Sequence, residues 1–379
     1  MHKKIKVQLL VNEVAGNGNA IKADKELQDI LKEMNIPFKR QKSHYPGELV
    51  VLAQNYANLH LSSEHVLIVV GGDGSFNEVL NGIKTSNYPE TAITYLPAGT
   101  GNDFARGAGL TADPRQLINN LLRDPEPEQV DCGFFTSNIK QIPKGYFVNN
   151  FGIGFDAFVV HQSNHEQLKK HLNHLNSGNM IYGLNIIKAL IKQDTFTVTV
   201  KTKNETLRYG DAYFVTTTNH PYFGGGFAIL PKADIYSHHL DTVIVEKPSL
   251  RKFLWLFGKL IKDGSHVNAP EFHYIEAKEI LVQTNKSEYA QIDGEDIEKQ
   301  PFKVTFKVDH FNLLKKGRIP NSSFFISYLK YLFSNYDFDN IGPDQRNHVL
   351  DHKISSNNGI FDTAFATPVL PASNYQEVH

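Results

Sequence analysis

Only one of the 379 residues is a cysteine. That single thiol, Cys132, excludes an internal disulfide and a cysteine-built zinc site and suits a reducing compartment, so the expected location is cytoplasmic. Neither sign of charge is in excess. The 39 Lys and Arg nearly cancel the 40 Asp and Glu, which leaves no global field for a nucleic acid, and none is expected as a partner. Long apolar runs are missing as well. No window approaches the roughly 20 apolar residues of a membrane-crossing helix, and the opening MHKKIKVQLLVNE is too short in its apolar part, interrupted by Lys6 and Gln8, to read as a signal peptide. Any membrane contact is therefore expected to be peripheral, at the inner face.

What remains is an ordinary globular composition in a chain long enough for two domains. In the first third, short apolar runs at residues 5–11, 36–41, 65–70 and 91–96 alternate with helical patterns at 20–34, 47–60 and 75–84, the signature of a parallel sheet with flanking helices. At DPEPE (residues 124–128) the pattern breaks, and strand-like runs take over at 145–152, 196–201, 212–217, 241–246, 279–283 and 303–308, with helices expected at 179–191 and 250–262. The expected architecture is an α/β nucleotide-binding domain over residues 1–130 and a β-rich sandwich over 131–315. A partly mobile extension over 316–379 is expected to follow, with one apolar helix-like piece, FFISYLKYLF.

The first third carries an unusual concentration of glycine at the carboxyl ends of its strands. VVGGDGSFNEVLNG (residues 69–82) runs from a strand through Gly71-Gly72-Asp73-Gly74 into a helix near Ser75. Such a loop lets backbone N–H groups and a helix N-terminus face a phosphate. A plainer reading makes it a strand-to-helix turn with Asp73 or Ser75 as the N-cap. Two further loops, Asn12 to Gly18 and PAGTGNDFARG (residues 97–107), fall at matching strand ends, and three glycine loops on one sheet edge would build one phosphate-lined crevice.

The pair GGDGS and PAGTGNDFAR resembles the diacylglycerol kinase catalytic-domain family, particularly its soluble bacterial lipid kinases. NNFGIGFDAFVV (149–160), FGGGFAILPKA (223–233) and IDGED (292–296) are similar to that family's later motifs in the same order. The resemblance covers roughly residues 5–315 and implies MgATP on the α/β domain and a lipid acceptor at the cleft with the β-rich domain. It matches Asn12 and Gly16 to the first nucleotide loop and Ser43 to a position near the nucleotide. It matches Gly72, Asp73, Gly74, Ser75 and Glu78 to the phosphate and Mg²⁺ loop, and Thr100 and Asn102 to the third. Asp73 is the candidate metal ligand, since phosphoryl transfer needs neutralised phosphate oxygens. Glu295 matches the general base that takes the proton of a lipid hydroxyl, with Asp293 as its orienting neighbour. Taken alone, QIDGED reads as a hairpin turn.

One stretch departs from the family. Where an acidic Asp-Asp-Gly helps to hold a structural Mg²⁺, this chain has Tyr236-Ser237-His238, flanked by Asp234 and Asp241. Histidine is a poor ligand for a hard cation, and that second site is not carried over. Elsewhere, LRKFLWLFGKLIK (250–262) places Phe253, Leu256, Phe257 and Leu260 on one face and Lys252, Trp255, Lys259 and Lys262 along another, either an ordinary core helix or a helix suited to an anionic bilayer. The histidine-bearing run at 161–179 is expected to be solvated, and His220 to shape a loop. The expected function is ATP-dependent phosphorylation of diacylglycerol or a related lipid, in a chain that could pair as a homodimer. Two alternatives stay open. One is a soluble-metabolite kinase such as an NAD kinase or a phosphofructokinase, although TPTGS and PGTIDND motifs are absent. The other is a non-catalytic nucleotide- or lipid-binding regulator.

Overall fold

The computed structural model describes residues 4–123, 126–165 and 193–315. Strands and helices alternate at first: β1 (Lys6–Val11), α1 (Asn19–Glu33), β2 (Phe38–Lys42), α2 (Glu48–Asn58), β3 (His65–Gly71), α3 (Asp73–Lys84), β4 (Ile93–Pro97), α4 (Asp103–Ala108) and α5 (Pro114–Arg123). The central strand shows why these elements form layers. Val66, Ile68 and Val70 of β3 pack with Leu27, Ile30 and Leu31 of α1 and with Leu117 and Ile118 of α5. Leu67 and Val69, pointing the other way, pack with Leu49 and Ala53 of α2 and with Phe76, Val79 and Leu80 of α3. A strand that is apolar on both faces needs helices on both. The four strands run parallel in the order β2-β1-β3-β4. Because the order reverses between β1 and β3, the loops leaving those strands open onto one crevice.

The second half is strand-rich: β5 (Pro127–Ser137), β6 (Lys144–Phe147), β7 (Asn150–Gly154), α6 (Phe155–His165), β8 (Phe196–Lys201), β9 (Thr206–Thr218), β10 (Tyr222–Phe223), β11 (Phe227–Ala228), β12 (Leu240–Glu246), α7 (Leu250–Lys262), β13 (Phe272–Ala277), β14 (Glu279–Ile292) and β15 (Glu295–Leu314). Inward-facing residues of these strands, among them Phe151, Phe196, Val215, Ile244, Val282, Val304 and Phe306, form a second core. β15 joins the halves. It runs antiparallel to β5 over eleven residues and meets β4 in parallel at Leu313 and Ile93, so one sheet runs through both parts. Phe311 of β15 packs edge-on against Phe76 of α3.

Several local expectations need adjustment. The strand expected at 145–152 is two strands, because the N–H groups of Val148 and Asn149 leave the ladder to bond a carboxylate of a distant turn. The helix near Ser75 begins at Asp73, with Gly72 as its N-cap, so neither Asp73 nor Ser75 caps it. Helix α7 has the expected bounds. The helix expected at 179–191, most of the histidine-bearing run and the FFISYLKYLF piece lie outside the described residues. Among the described residues, no helix is long and apolar enough to cross a membrane.

Helices α2 and α3 touch through Gly82. A Cβ there would lie 2.3 Å from the Val50 carbonyl oxygen and 2.8 Å from the Ala53 Cβ. Gly82→Ala is expected to destabilise the protein by about 2 kcal/mol through overpacking, although alanine is the better helix former by about 1 kcal/mol. Urea unfolding midpoints would measure it. An unchanged or raised midpoint would show that the two helices can separate at little cost.

Candidate functional site

Three loops meet at the carboxyl ends of β1, β3 and β4, and glycine lets them meet. A Cβ on Gly99 would lie 2.5 Å from the Cα of Gly72, one on Gly71 would lie 2.6 Å from Ser75 Oγ, and one on Gly16 would lie 2.1 Å from the Ala98 carbonyl oxygen. Of these, only Gly16 also needs the left-handed backbone, at φ +62°. Within GGDG, Gly72 thus allows the Gly99 backbone to approach and Gly71 makes room for the Ser75 side chain, and neither needs a left-handed turn.

Side chains tie the loops together. Asn12 donates from Nδ2 to Ser75 Oγ at 2.9 Å. Asn102, itself left-handed at φ +53°, closes the third loop by accepting from Gly99 N and donating to Gly99 O, both at 3.0 Å. Thr100 stands exposed on that loop. Asp73 accepts from the N–H groups of Asp103 (3.0 Å) and Phe104 (3.3 Å) at the start of α4. Burial outweighs these donors and pushes its carboxyl up to about 6.

Two residues absent from the sequence-based candidates complete the third loop. Asp103, almost fully buried, accepts from Arg106 Nη1 at 2.6 Å and from Gly225 N at 2.9 Å. Arg106 reaches the Gly101 carbonyl at 3.2 Å. The FGGGF turn is thereby clamped onto the glycine loops. Both residues lie in the GNDFAR motif, which was the available signal.

Glu295 arrives from the other half of the chain. Asp293 and Gly294 both have positive φ, +50° and +88°, the pattern of a two-residue type I′ hairpin turn. The turn reading and the site reading thus describe the same residues. Asp293 faces inward, accepting from the N–H groups of Val148, Asn149 and Asn150 at 2.9–3.0 Å and from Asn77 Nδ2 of α3 at 2.7 Å. Even with these donors, burial raises its carboxyl to about 7. The turn so anchored sets Glu295 over the first turn of α3, where its Oε1 lies 3.7 Å from the position a Cβ on Gly74 would take.

Glu78 turns toward the start of α2, accepting from Gly47 N (3.0 Å) and Leu49 N (3.3 Å). Its carboxyl is raised by burial and by the nearby Glu295 charge, against the pull of those two donors. Ser43 is fixed by its backbone N–H to the Val11 carbonyl at 2.9 Å. Among the described residues, no hydrogen bond links its hydroxyl to the glycine loops. His161, expected to be solvated, pairs instead with Asp296 at 2.7 Å, beside Glu295. His220 is fully buried and, as expected, shapes a loop. It accepts at Nδ1 from Tyr222 N, which leaves Nε2–H to meet Asn149 Oδ1 at 2.8 Å. Burial lowers it to about 3, so it stays neutral.

A cavity of about 390 Å³ opens at these acids. Asp73, Asp103, Asp293 and Gly294 border it at one end. Its walls are apolar, built from residues such as Phe155, Val159, Tyr213, Phe227, Phe257 and Leu260. The inner face of α7 forms one wall, so that helix covers a cavity and is not a simple core element. Its outer face leaves Leu254, Trp255 and Ile261 more than half exposed.

Comparison with known proteins agrees with this layout. The family model for the diacylglycerol kinase catalytic domain matches residues 6–135, and that for the YegS C-terminal NAD kinase beta sandwich-like domain matches 150–315. The chain is 30% identical over 298 residues to the Bacillus subtilis (strain 168) protein named "Putative lipid kinase YtlR", an alignment that takes in 78% of this chain and 94% of that one. It is 28% identical over 285 residues to a protein of Staphylococcus saprophyticus named diacylglycerol kinase, covering 74% and 87%. A solved Bacillus anthracis (strain Sterne) chain, described as a putative diacylglycerol kinase, shares the fold with a TM-score of 0.64 at 23% identity, over 83% of this chain and 96% of that one.

Asp156, on the cavity wall, gives a pH test. It is half-buried, its carboxyl packed inward and bonded by Gln291 Nε2 at 3.1 Å. Burial raises it from 3.8 to about 6. A raised acid contributes stability that is complete below about pH 4 and is lost as pH rises through about 6. Asp156→Asn, which resembles the neutral acid, should match the wild type near pH 4 and exceed it by on the order of 2 kcal/mol at pH 7. Denaturant unfolding across that range, with a chelator present, tests this; a difference independent of pH would refute it.

Proposed function

Because this chain belongs to the diacylglycerol kinase catalytic-domain family of kinases, we propose that it transfers the γ-phosphate of ATP to the hydroxyl of diacylglycerol or a closely related lipid, yielding phosphatidic acid or its analogue. The observation that carries the lipid reading is the apolar cavity that opens at Asp73 and runs beneath α7. A soluble sugar or dinucleotide acceptor would need polar walls; this cavity suits an acyl chain whose hydroxyl end lies among the acids.

The family implies Mg²⁺, and the residues fit it. Asp73 and Asp103 are carboxylates with an oxygen-only character, and Asp73 is held partly protonated by burial, a condition that a divalent cation would relieve. Asp73 would hold the ion, which supplies neutralisation of the phosphate oxygens when bound. The loops after β1, β3 and β4 offer backbone N–H groups to the phosphates. Asp293 locks the hairpin turn and Glu295, at its end, takes the proton as the lipid oxygen forms its bond to phosphorus and the bond to ADP breaks.

The outer face of α7 suits the membrane that supplies such a substrate. Trp255 lies under Lys259 at 3.9 Å, with Leu254 and Ile261 exposed beside it, an arrangement of amphipathic aromatic, apolar and basic groups suited to an anionic interface. A peripheral site of action on the cytoplasmic face follows from this reading.

Labelled MgATP with diacylglycerol in mixed micelles should give labelled phosphatidic acid. Glu295→Gln is expected to lower the rate by about 10²-fold or more, and Asp73→Ala to abolish it. Leu256→Trp, which fills the cavity, should suppress lipid phosphorylation while nucleotide binding is unchanged. Label appearing only in soluble acceptors, indifferent to Leu256→Trp, would overturn the lipid assignment. A second expectation concerns α7: Trp255→Glu with Ile261→Glu should weaken sedimentation with phosphatidylglycerol vesicles about tenfold or more, and unchanged sedimentation would remove α7 from the interface.

A further inference from the structure

Away from the cavity, three segments converge on one buried carboxylate. Asp131 of β5 is fully buried. Its cross-strand partner on β15 is His310, whose Nδ1 lies 2.8 Å from Asp131 Oδ1. The loop before β12 brings His238, whose Nδ1 lies 3.2 Å from the same oxygen and whose backbone N–H donates to the other oxygen at 2.6 Å. One ligand atom from each residue lies within 4.8 Å of the others. None of the three borders the cavity.

We propose that Asp131, His238 and His310 form a binding site for a first-row transition metal of the zinc type. Two imidazole nitrogens and one carboxylate oxygen are a donor set for Zn²⁺ and not for Mg²⁺. With bonds near 2.0–2.1 Å, tetrahedral ligand atoms stand about 3.3 Å apart, close to the two Asp–His separations present. His238 adopts a glycine-like backbone at φ +58°. A non-glycine residue there is uncommon and strained. Its ring is thereby held on Asp131. The ion would staple β5, β15 and the loop before β12, with a fourth position open to water.

The full-length, untagged, chelator-treated protein should be titrated with Zn²⁺ or Mg²⁺ in the absence of nucleotide and followed by thermal unfolding. Co²⁺ in place of Zn²⁺ reports geometry through its visible absorption. Zn²⁺ is expected to raise the melting temperature by about 3 °C at a hundredfold excess over its Kd, and Co²⁺ to give a tetrahedral spectrum. Both responses should vanish in His310→Gln and in His238→Gly, while any response to Mg²⁺ is the same in all three proteins. His238→Gly keeps the test decisive if His310→Gln fails to fold, because glycine is at ease at φ +58° and the metal-free variant should melt within about 2 °C of the wild type. No Zn²⁺ response in the wild type would overturn the site, and so would one retained in His238→Gly, which would assign binding to others of the 17 histidines.

Discussion

The working geometry depends on one half-buried carboxyl group, that of Asp293. Three backbone N–H groups at the break between β6 and β7, together with the amide of Asn77, converge on it. Those four donors come from a broken strand and from the helix behind the GGDG loop. A single side chain thus fixes the distance between the glycine loops and the hairpin that bears Glu295. The break between β6 and β7 follows from the same demand, since an N–H directed to Asp293 cannot serve a sheet ladder. A general base needs placement before it needs a tuned pKa, and here placement is delegated to a neighbour whose carboxyl is taken up by four donors.

The cost of this arrangement is electrostatic. Asp73, Asp103 and Asp293 crowd one end of an apolar cavity, with Glu295 next along the chain from its Gly294 border, and Arg106 is the guanidinium paired with one of them. Burial raises Asp73 and Asp293, and Glu78 rises partly because Glu295 is near. Carboxylates held in this state favour whatever cation or proton relieves them. A phosphoryl-transfer site gains from that tension, because the metal and nucleotide that relieve it arrive together.

Much of this was legible in the sequence, for identifiable reasons. Parallel strands covered on both faces read as continuous apolar runs, and the loops at their ends declared themselves through glycine. α7 was legible because its pattern repeats at helical spacing within thirteen residues. What escaped were pairings across long stretches of chain. Asp293 meets Asn77 at a separation of 216 residues, His161 meets Asp296 at 135, and Asp103 meets Gly225 at 122. No local period encodes such contacts. Composition likewise could not say that Phe253 and Leu256 would line a void, because a helix face against a cavity and one against a core have the same spacing.

The stretch Tyr236-Ser237-His238 is fastened to β5 in more than one way. The Ile235 carbonyl accepts from Asp131 N, and the Tyr236 hydroxyl donates to Glu128 at 2.6 Å, so the loop before β12 is fastened to β5 through backbone and phenol as well as through histidine. Asp131, buried at the centre, still requires positively polarised neighbours, and His238 and His310 stand where they can supply them.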